Sequence, residues 1–225
     1  MLNYKLSIPL LKGLLFDLDG VIVDNAEQHI RAFDIFLERY GINRTFTPDL
    51  FGRRNEDIIN ILMPEIVVEK DWRTLSAEKE AVYREISRSE LGPVKGLIAL
   101  LTNAKQSGIA CGIGSSACRE NVEFCIDICN IENLIDAYCC EQDVTIGKPE
   151  PEVYLKTAAR LGVKAEECVV FEDATAGITA GKRAGCKVVA LTTSSPREVL
   201  EQTEADLIID NFDDITLNSL RQLFE

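Results

Sequence analysis

Lys12-Gly13-Leu14-Leu15-Phe16-Asp17-Leu18-Asp19-Gly20-Val21-Ile22-Val23-Asp24 is an apolar run that ends on two carboxylates two residues apart. Side chains at i and i+2 of an extended segment point the same way, so Asp17 and Asp19 are expected to share one space just past the C-terminal end of a buried strand. Ionised together they repel by on the order of 4 kcal/mol at about 4 Å and an effective dielectric near 20. A proton, solvent or a cation has to offset that repulsion, and a hard divalent cation is the usual partner of paired carboxylates.

Outward from this stretch, the first apolar run covers 13–18, and others of strand length occupy 109–114, 137–140, 168–171, 187–191 and 206–209. Helical patterns lie between most of them: 95–106 ending near Gly108, 119–129, 151–161 opened by Pro151, and 175–184 before Gly185. Strand and helix in alternation imply an α/β fold with a doubly wound parallel sheet. The stretch 24–91 breaks the rhythm, with helix-like segments at 27–40, 56–62 and 75–88 and no convincing buried strand. The expected organisation is a Rossmann-like core of 1–23 with 92–225, and an inserted all-helical domain of 24–91 in the position of a lid over the strand ends.

A chain of 225 residues, 46% hydrophobic, is long enough for one good core and a smaller appendage. Charges at Lys12, Asp17 and Asp19 interrupt the most apolar N-terminal stretch, so nothing approaches the roughly 20 apolar residues of a bilayer span, and no signal-peptide pattern is evident. The expectation is a cytoplasmic protein without a membrane partner. A formal charge of −13 opposes nucleic-acid binding, which needs a basic surface. An anionic substrate would have to be met by local positive charge. The eight cysteines include no C-x-x-C pair and read as buried thiols.

Four groups of polar residues follow apolar runs. They are Asp17 with Asp19, Ser115 with Ser116 after 109–114, Gly147-Lys148-Pro149, and Glu172-Asp173 after 168–171. A doubly wound sheet gathers such strand ends at one edge. Hydroxyls and free N–H groups at a helix start suit a phosphate, although Ser115 or Ser116 could equally cap the helix that follows. Carboxylates with a hard cation, a lysine and a hydroxyl are what phosphoryl transfer requires, with one aspartate able to act as nucleophile and the other as proton shuttle.

These residues, Asp17-Leu18-Asp19-Gly20-Val21, Ser115, Gly147-Lys148-Pro149 and Phe171-Glu172-Asp173, resemble the four ordered motifs of the haloacid dehalogenase superfamily. The resemblance implies Asp17 as nucleophile forming an aspartyl-phosphate, Asp19 as acid/base, and Ser115 and Lys148 as phosphate ligands, with Ser116 beside them. It further implies Mg²⁺ held by Asp17, the Asp19 carbonyl and Asp173, with Glu172 direct or one layer back. The insertion resembles the helical cap of the β-phosphoglucomutase and small phosphatase branch. On that likeness His29 in the hinge and Lys79 on a cap helix help position the acid/base, and Arg53, Arg54 and Asn55 are candidates for substrate specificity. Ala174 departs from the pattern, standing where many relatives carry serine. The implied activity is a phosphatase acting on a small phosphorylated metabolite such as a sugar phosphate, with a phosphomutase as the alternative.

A rival reading uses Gly112-Ile113-Gly114-Ser115-Ser116-Ala117, which fits a loose dinucleotide-binding pattern after a strand. It leaves the acid pairs and Lys148 unexplained, and Asp136 precedes the next strand where a ribose-binding acid should end it.

Overall fold

The computed structural model describes residues 11–47, 50 and 55–225. The chain divides into two compact units, one holding the described residues to Asp24 together with Gly92–Glu225, the other Asn25–Leu91. Val94 N–H donates to the Ile22 carbonyl at 2.9 Å, and Val23 bridges Pro93. The chain therefore leaves and re-enters the larger unit at adjacent points.

The larger unit opens with β1 (Gly13–Phe16), every residue of which is buried. A strand covered on both faces reads as a continuous apolar run, which is why this one was visible in the sequence. The smaller unit then supplies α1 (Ala26–Arg39), α2 (Asn55–Leu62) and α3 (Trp72–Ser87). Phe33, Phe36 and Leu37 of α1 and Ile58, Ile59 and Leu62 of α2 have the three- and four-residue spacing of one helix face, and they share a core with Leu75 of α3.

Returning to the larger unit, the order is α4 (Leu97–Gln106), β2 (Ala110–Gly114), α5 (Arg119–Ile128), β3 (Ala137–Cys139), α6 (Glu152–Arg160), β4 (Cys168–Glu172), α7 (Thr175–Arg183), β5 (Lys187–Leu191), α8 (Arg197–Leu200), β6 (Leu207–Ile209) and α9 (Leu217–Gln222). All six strands are parallel, in the order β3-β2-β1-β4-β5-β6. β1 is central, with Phe16 level with Ile113 on one side and Phe171 on the other. The connections run outward in one direction from β1 to β3 and in the other from β4 to β6, so the strand order reverses between β1 and β4. Ligands of open α/β sheets bind at the carboxyl ends of the strands at such a point. No helix among the described residues is long and apolar enough to cross a membrane.

Candidate active site

Asp17 follows β1 directly and is still held by the sheet, its N–H donating to the Phe171 carbonyl at 3.0 Å. Beneath it Phe16 stacks on Phe171 with ring centroids 4.8 Å apart, and Phe212 meets both rings edge-on. The chain then turns tightly: Ile22 N–H donates to the Leu18 carbonyl at 2.9 Å and Gly20 N–H to the Val23 carbonyl at 2.7 Å. Gly20 has a φ of +76°, and a Cβ there would lie 2.0 Å from Asp173 Oδ2. Glycine is needed on both counts, for the left-handed backbone and for the space taken by the carboxylate.

Lys148 reaches this edge from the segment before α6. Its ammonium donates to Asp17 Oδ1 and to Glu172 Oε1, each at 2.6 Å, with the side chain 9% exposed. Glu172, the last residue of β4, is held at both oxygens. Oε1 also accepts the Tyr154 hydroxyl at 2.6 Å, and Oε2 accepts the N–H groups of Asp173 and Ala174 at 3.1 and 3.3 Å. Ala174 sits at the N-cap of α7, where it offers no side-chain oxygen, and the Glu172 carboxylate takes the two N–H groups that lead into the helix. The carboxylate fits there because Gly177 has no Cβ, which would fall 1.6 Å from Oε1.

One oxygen each from Asp17, Glu172 and Asp173 lie within 4.8 Å of one another. Three carboxylates face one ammonium. Burial pushes the Asp17 carboxyl up to about 7, with Lys148 pulling it down and the charges of Glu172 and Asp19 adding to the rise. Burial raises Asp173 as well, reinforced by Glu172 and Asp17 and opposed by a hydrogen bond to Ser194. Burial works against the charge of Lys148, yet Asp17 and Glu172 outweigh it and its pKa rises. The Tyr154 phenol is raised by burial and then by Glu172, so it stays a donor. An all-oxygen set with surplus buried negative charge fits a hard divalent cation. The Asp19 carboxylate stands outside the trio, near enough for its charge to act on Asp17.

Ser115 lies at the same sheet edge, its N–H donating to the Cys139 carbonyl at 2.9 Å and its side chain 2% exposed as a residue. Neither serine caps α5, whose N-cap position is Cys118; Ser115 Oγ accepts from the Ala117 N–H at 3.0 Å, and Ser116 is exposed. Lys148 is not a surface lysine.

The remaining candidates belong to the helical unit, and Arg53 and Arg54 lie outside the described residues. Lys79 is 1% exposed, so it does not sit on a solvated helix face as a charged residue there usually does. Its ammonium is 2.9 Å from Glu80 Oε1, 2.8 Å from His29 Nδ1 and 4.4 Å from the Phe33 ring centre. His29 stacks on Tyr83 at 4.1 Å, and Asn55 Nδ2 donates to Glu80 Oε1 and Ser76 Oγ at 2.7 and 3.0 Å. His29, Lys79 and Asn55 are thus drawn into one buried polar cluster through Glu80.

The glycines of the dinucleotide-like pattern have a different purpose. A Cβ on Gly112 would lie 2.8 Å from Thr157 Cγ2, and one on Gly114 2.9 Å from the Tyr154 ring, so both let α6 pack onto β2. Asp136 closes the opposite edge of the sheet, accepting the Cys111 N–H at 2.8 Å, far from where a ribose would have to lie. Seven of the eight cysteines are buried, and all eight are thiols outside any disulfide. Burial pushes Cys111 and Cys186 up to about 12 and Cys129 up to about 11, which suits packing and not nucleophilic work.

Tyr154, Gly177, Thr193 and Ser194 were not singled out in the sequence. Thr193 donates to the Gly20 carbonyl at 2.5 Å and Ser194 serves Asp173. Both follow the apolar β5, the same signal that marked the other groups. Tyr154 and Gly177 carry no such mark, since an aromatic and a glycine on helices are commonplace.

The family model of haloacid dehalogenase-like hydrolases matches residues 14–191. Hexitol phosphatase A of Escherichia coli (strain K12) is 29% identical over 216 residues, covering 92% of this chain and 94% of that protein. β-Phosphoglucomutase of Bacillus subtilis (strain 168) is 30% identical over 226 residues, covering 96% of each. The crystal structure of a HAD hydrolase, family IA, variant 3, from Entamoeba histolytica HM-1:IMSS matches with a TM-score of 0.86 at 26% identity, over 95% of this chain and 99% of that one. The matched span takes in Asp17, Ser115, Lys148, Glu172 and Asp173 together, and on that evidence the chain is an enzyme of the haloacid dehalogenase-like hydrolase family, in its phosphoglucomutase-like branch.

Proposed function

We propose that the chain is a Mg²⁺-dependent phosphohydrolase acting on a small phosphorylated metabolite, a sugar or sugar-alcohol phosphate, through an aspartyl-phosphate on Asp17. The observation that carries this reading is the pair of hydrogen bonds that Lys148 donates, one to Asp17 Oδ1 and one to Glu172 Oε1, beside Asp173. Lys148 holds one oxygen of Asp17 and leaves Oδ2 to attack phosphorus. As the Asp17–phosphorus bond forms and the ester P–O bond breaks, Asp19 gives a proton to the departing oxygen. It then takes one from the water that frees phosphate. Lys148 and Ser115 hold phosphoryl oxygens. Asp17, Asp173 and the Asp19 carbonyl, with Glu172 beside them, would hold Mg²⁺, which when bound neutralises the equatorial phosphoryl oxygens.

The helical unit is proposed as the cap over this chemistry, with His29, Lys79 and Asn55 serving substrate and acid/base from its buried cluster, and Arg53 and Arg54 as further specificity candidates. The buried thiols, outside any disulfide, and the charge of −13 support a cytoplasmic enzyme with no nucleic-acid partner.

A second reading, a phosphomutase that returns the phosphoryl group to a reoriented sugar, draws support from the 30% identity to β-phosphoglucomutase over 96% of the chain. A panel of sugar, sugar-alcohol and other small phosphate esters with Mg²⁺, assayed for both free phosphate and isomerised ester, separates the two. Free phosphate that Asp17→Asn abolishes is expected. Isomer without phosphate would favour the mutase, and neither product with any ester would overturn both readings.

A further inference from the structure

A carboxylate has about four acceptor positions, two on each oxygen. Those of Glu172 are all taken: Lys148 and the Tyr154 hydroxyl at Oε1, the N–H groups of Asp173 and Ala174 at Oε2. Two of these donors are main chain and one is the site lysine. The fourth, Tyr154, is fully buried on α6, and room for its ring is made by the missing Cβ of Gly114. The same ring lies under the Lys148 ammonium, 4.9 Å from its centre.

A cation taking an oxygen of Glu172 directly would have to displace one of these donors. Displacing Lys148 or Tyr154 strands a buried donor, and displacing the main-chain pair strands the N–H groups of Asp173 and Ala174 ahead of α7. Asp17 and Asp173 carry no comparable burden.

We propose that Tyr154 is a positioning residue: its hydroxyl fills the last acceptor site of Glu172, keeping that carboxylate turned toward Lys148 and out of direct coordination, so that the direct carboxylate ligands are Asp17 and Asp173. The proposal rests on the cation-site reading of the acidic cluster. It deepens that reading by giving Glu172 the task of aiming Lys148 at Asp17.

The test begins with Mg²⁺ titrated calorimetrically into the wild-type chain without substrate. Tyr154→Phe keeps the ring and removes only the hydroxyl. It is expected to raise Mg²⁺ affinity three- to tenfold, because Glu172 gains an open acceptor site, and to lower kcat about tenfold with KM little changed, because Lys148 loses a fixed partner. In a Glu172→Gln background the same change should move either quantity by less than twofold, since Tyr154 acts through Glu172. Should Tyr154→Phe fail to accumulate, Glu172→Gln alone still decides: its loss of Mg²⁺ affinity should be at least ten times smaller than that of Asp173→Asn, and losses of equal size would overturn the proposal. Unchanged affinity in Tyr154→Phe, or effects that simply add in the double variant, would also overturn it. A wild-type chain that takes up no Mg²⁺ removes the cation-site reading and this one with it, whereas a wild type that binds and a Tyr154→Phe that matches it remove this one alone.

Discussion

Lys148 Nζ lies 2.6 Å from Asp17 Oδ1, a buried ion pair joining residues 131 positions apart. Among the described residues the lysine is the cation paired with these carboxylates, and it also bonds Glu172. Lys148→Met should therefore cost on the order of 3 kcal/mol of metal-free stability, as breaking a buried pair leaves uncompensated charge. It should also lower kcat/KM by at least a hundredfold. Lys148→Arg should recover little, because a planar guanidinium cannot place one donor on each carboxylate in a space shaped for an ammonium. Thermal melts and steady-state kinetics of the two variants check this.

The metal-free protein should lose stability as pH rises. An acid whose folded pKa lies above its unfolded value binds its proton more tightly when folded. For Asp17 that contribution is full below about 3.8 and disappears as pH climbs through about 7. The loss expected by pH 8 is on the order of 2–4 kcal/mol. Asp17→Asn should flatten this dependence while abolishing turnover. Excess Mg²⁺ should reverse it, since the cation takes ionised carboxylates and releases protons. Melting temperatures from pH 5 to 8, with EDTA and with Mg²⁺, provide the measurement.

Gly177→Ala ought to stabilise a helix by about 1 kcal/mol on propensity alone. Here it should do the reverse, because the new Cβ would fall 1.6 Å from Glu172 Oε1. A destabilisation of about 2–4 kcal/mol and a loss of activity exceeding a hundredfold are expected. Gly181→Ala on the same helix meets Val188 Cγ2 at 2.9 Å and Val170 Cγ1 at 3.2 Å, buried methyls away from the carboxylates, and should cost stability while affecting activity far less. Denaturant melts and kcat of the pair make the comparison.

Asp143 binds the β3 side of the sheet together. Its carboxylate accepts two bonds from Arg160, at 2.8 and 3.0 Å, with Arg119 and the Cys140 N–H adding others. Arg160 holds it well below the usual carboxylate range, so its contribution is present above the unfolded pKa and is lost as pH falls. Both arginines are about two-fifths exposed, so solvent screening keeps each pair well below the worth of a buried one. Asp143→Ala should lower the melting temperature at pH 7 and still at pH 4, the difference from wild type shrinking only as pH falls below the ordinary carboxylate range, with kcat per folded molecule unchanged.

The strands were legible because a parallel sheet buried on both faces needs continuous apolar runs such as Leu14-Leu15-Phe16 and Cys168-Val169-Val170-Phe171. The polar residues at their ends stood out against that background, so Asp17, Ser115, Lys148, Glu172 and Asp173 could be named in advance. Lys79 shows the limit. Nothing in Ala77-Glu78-Lys79-Glu80 marks Lys79 and Glu80 as buried beside the exposed Ala77, since burial there depends on Phe33 and His29 approaching from another helix. Gly112 and Gly114 left a rival reading open for the same reason: a glycine pair looks alike whether it admits a pyrophosphate or the flank of a helix.

By itself the sequence determined the kinds of chemical group available and the order in which strand ends deliver them, because burial pattern and residue type are local properties of the chain. Only the tertiary structure decided which groups meet. Lys148 bonds Asp17 rather than solvent, Glu172 is encircled by four donors, and Gly20 and Gly177 are spaces instead of hinges. Contacts of this sort depend on ångström-scale approach between segments far apart in the chain, and that approach is set by how helices and strands pack, which no local spacing encodes.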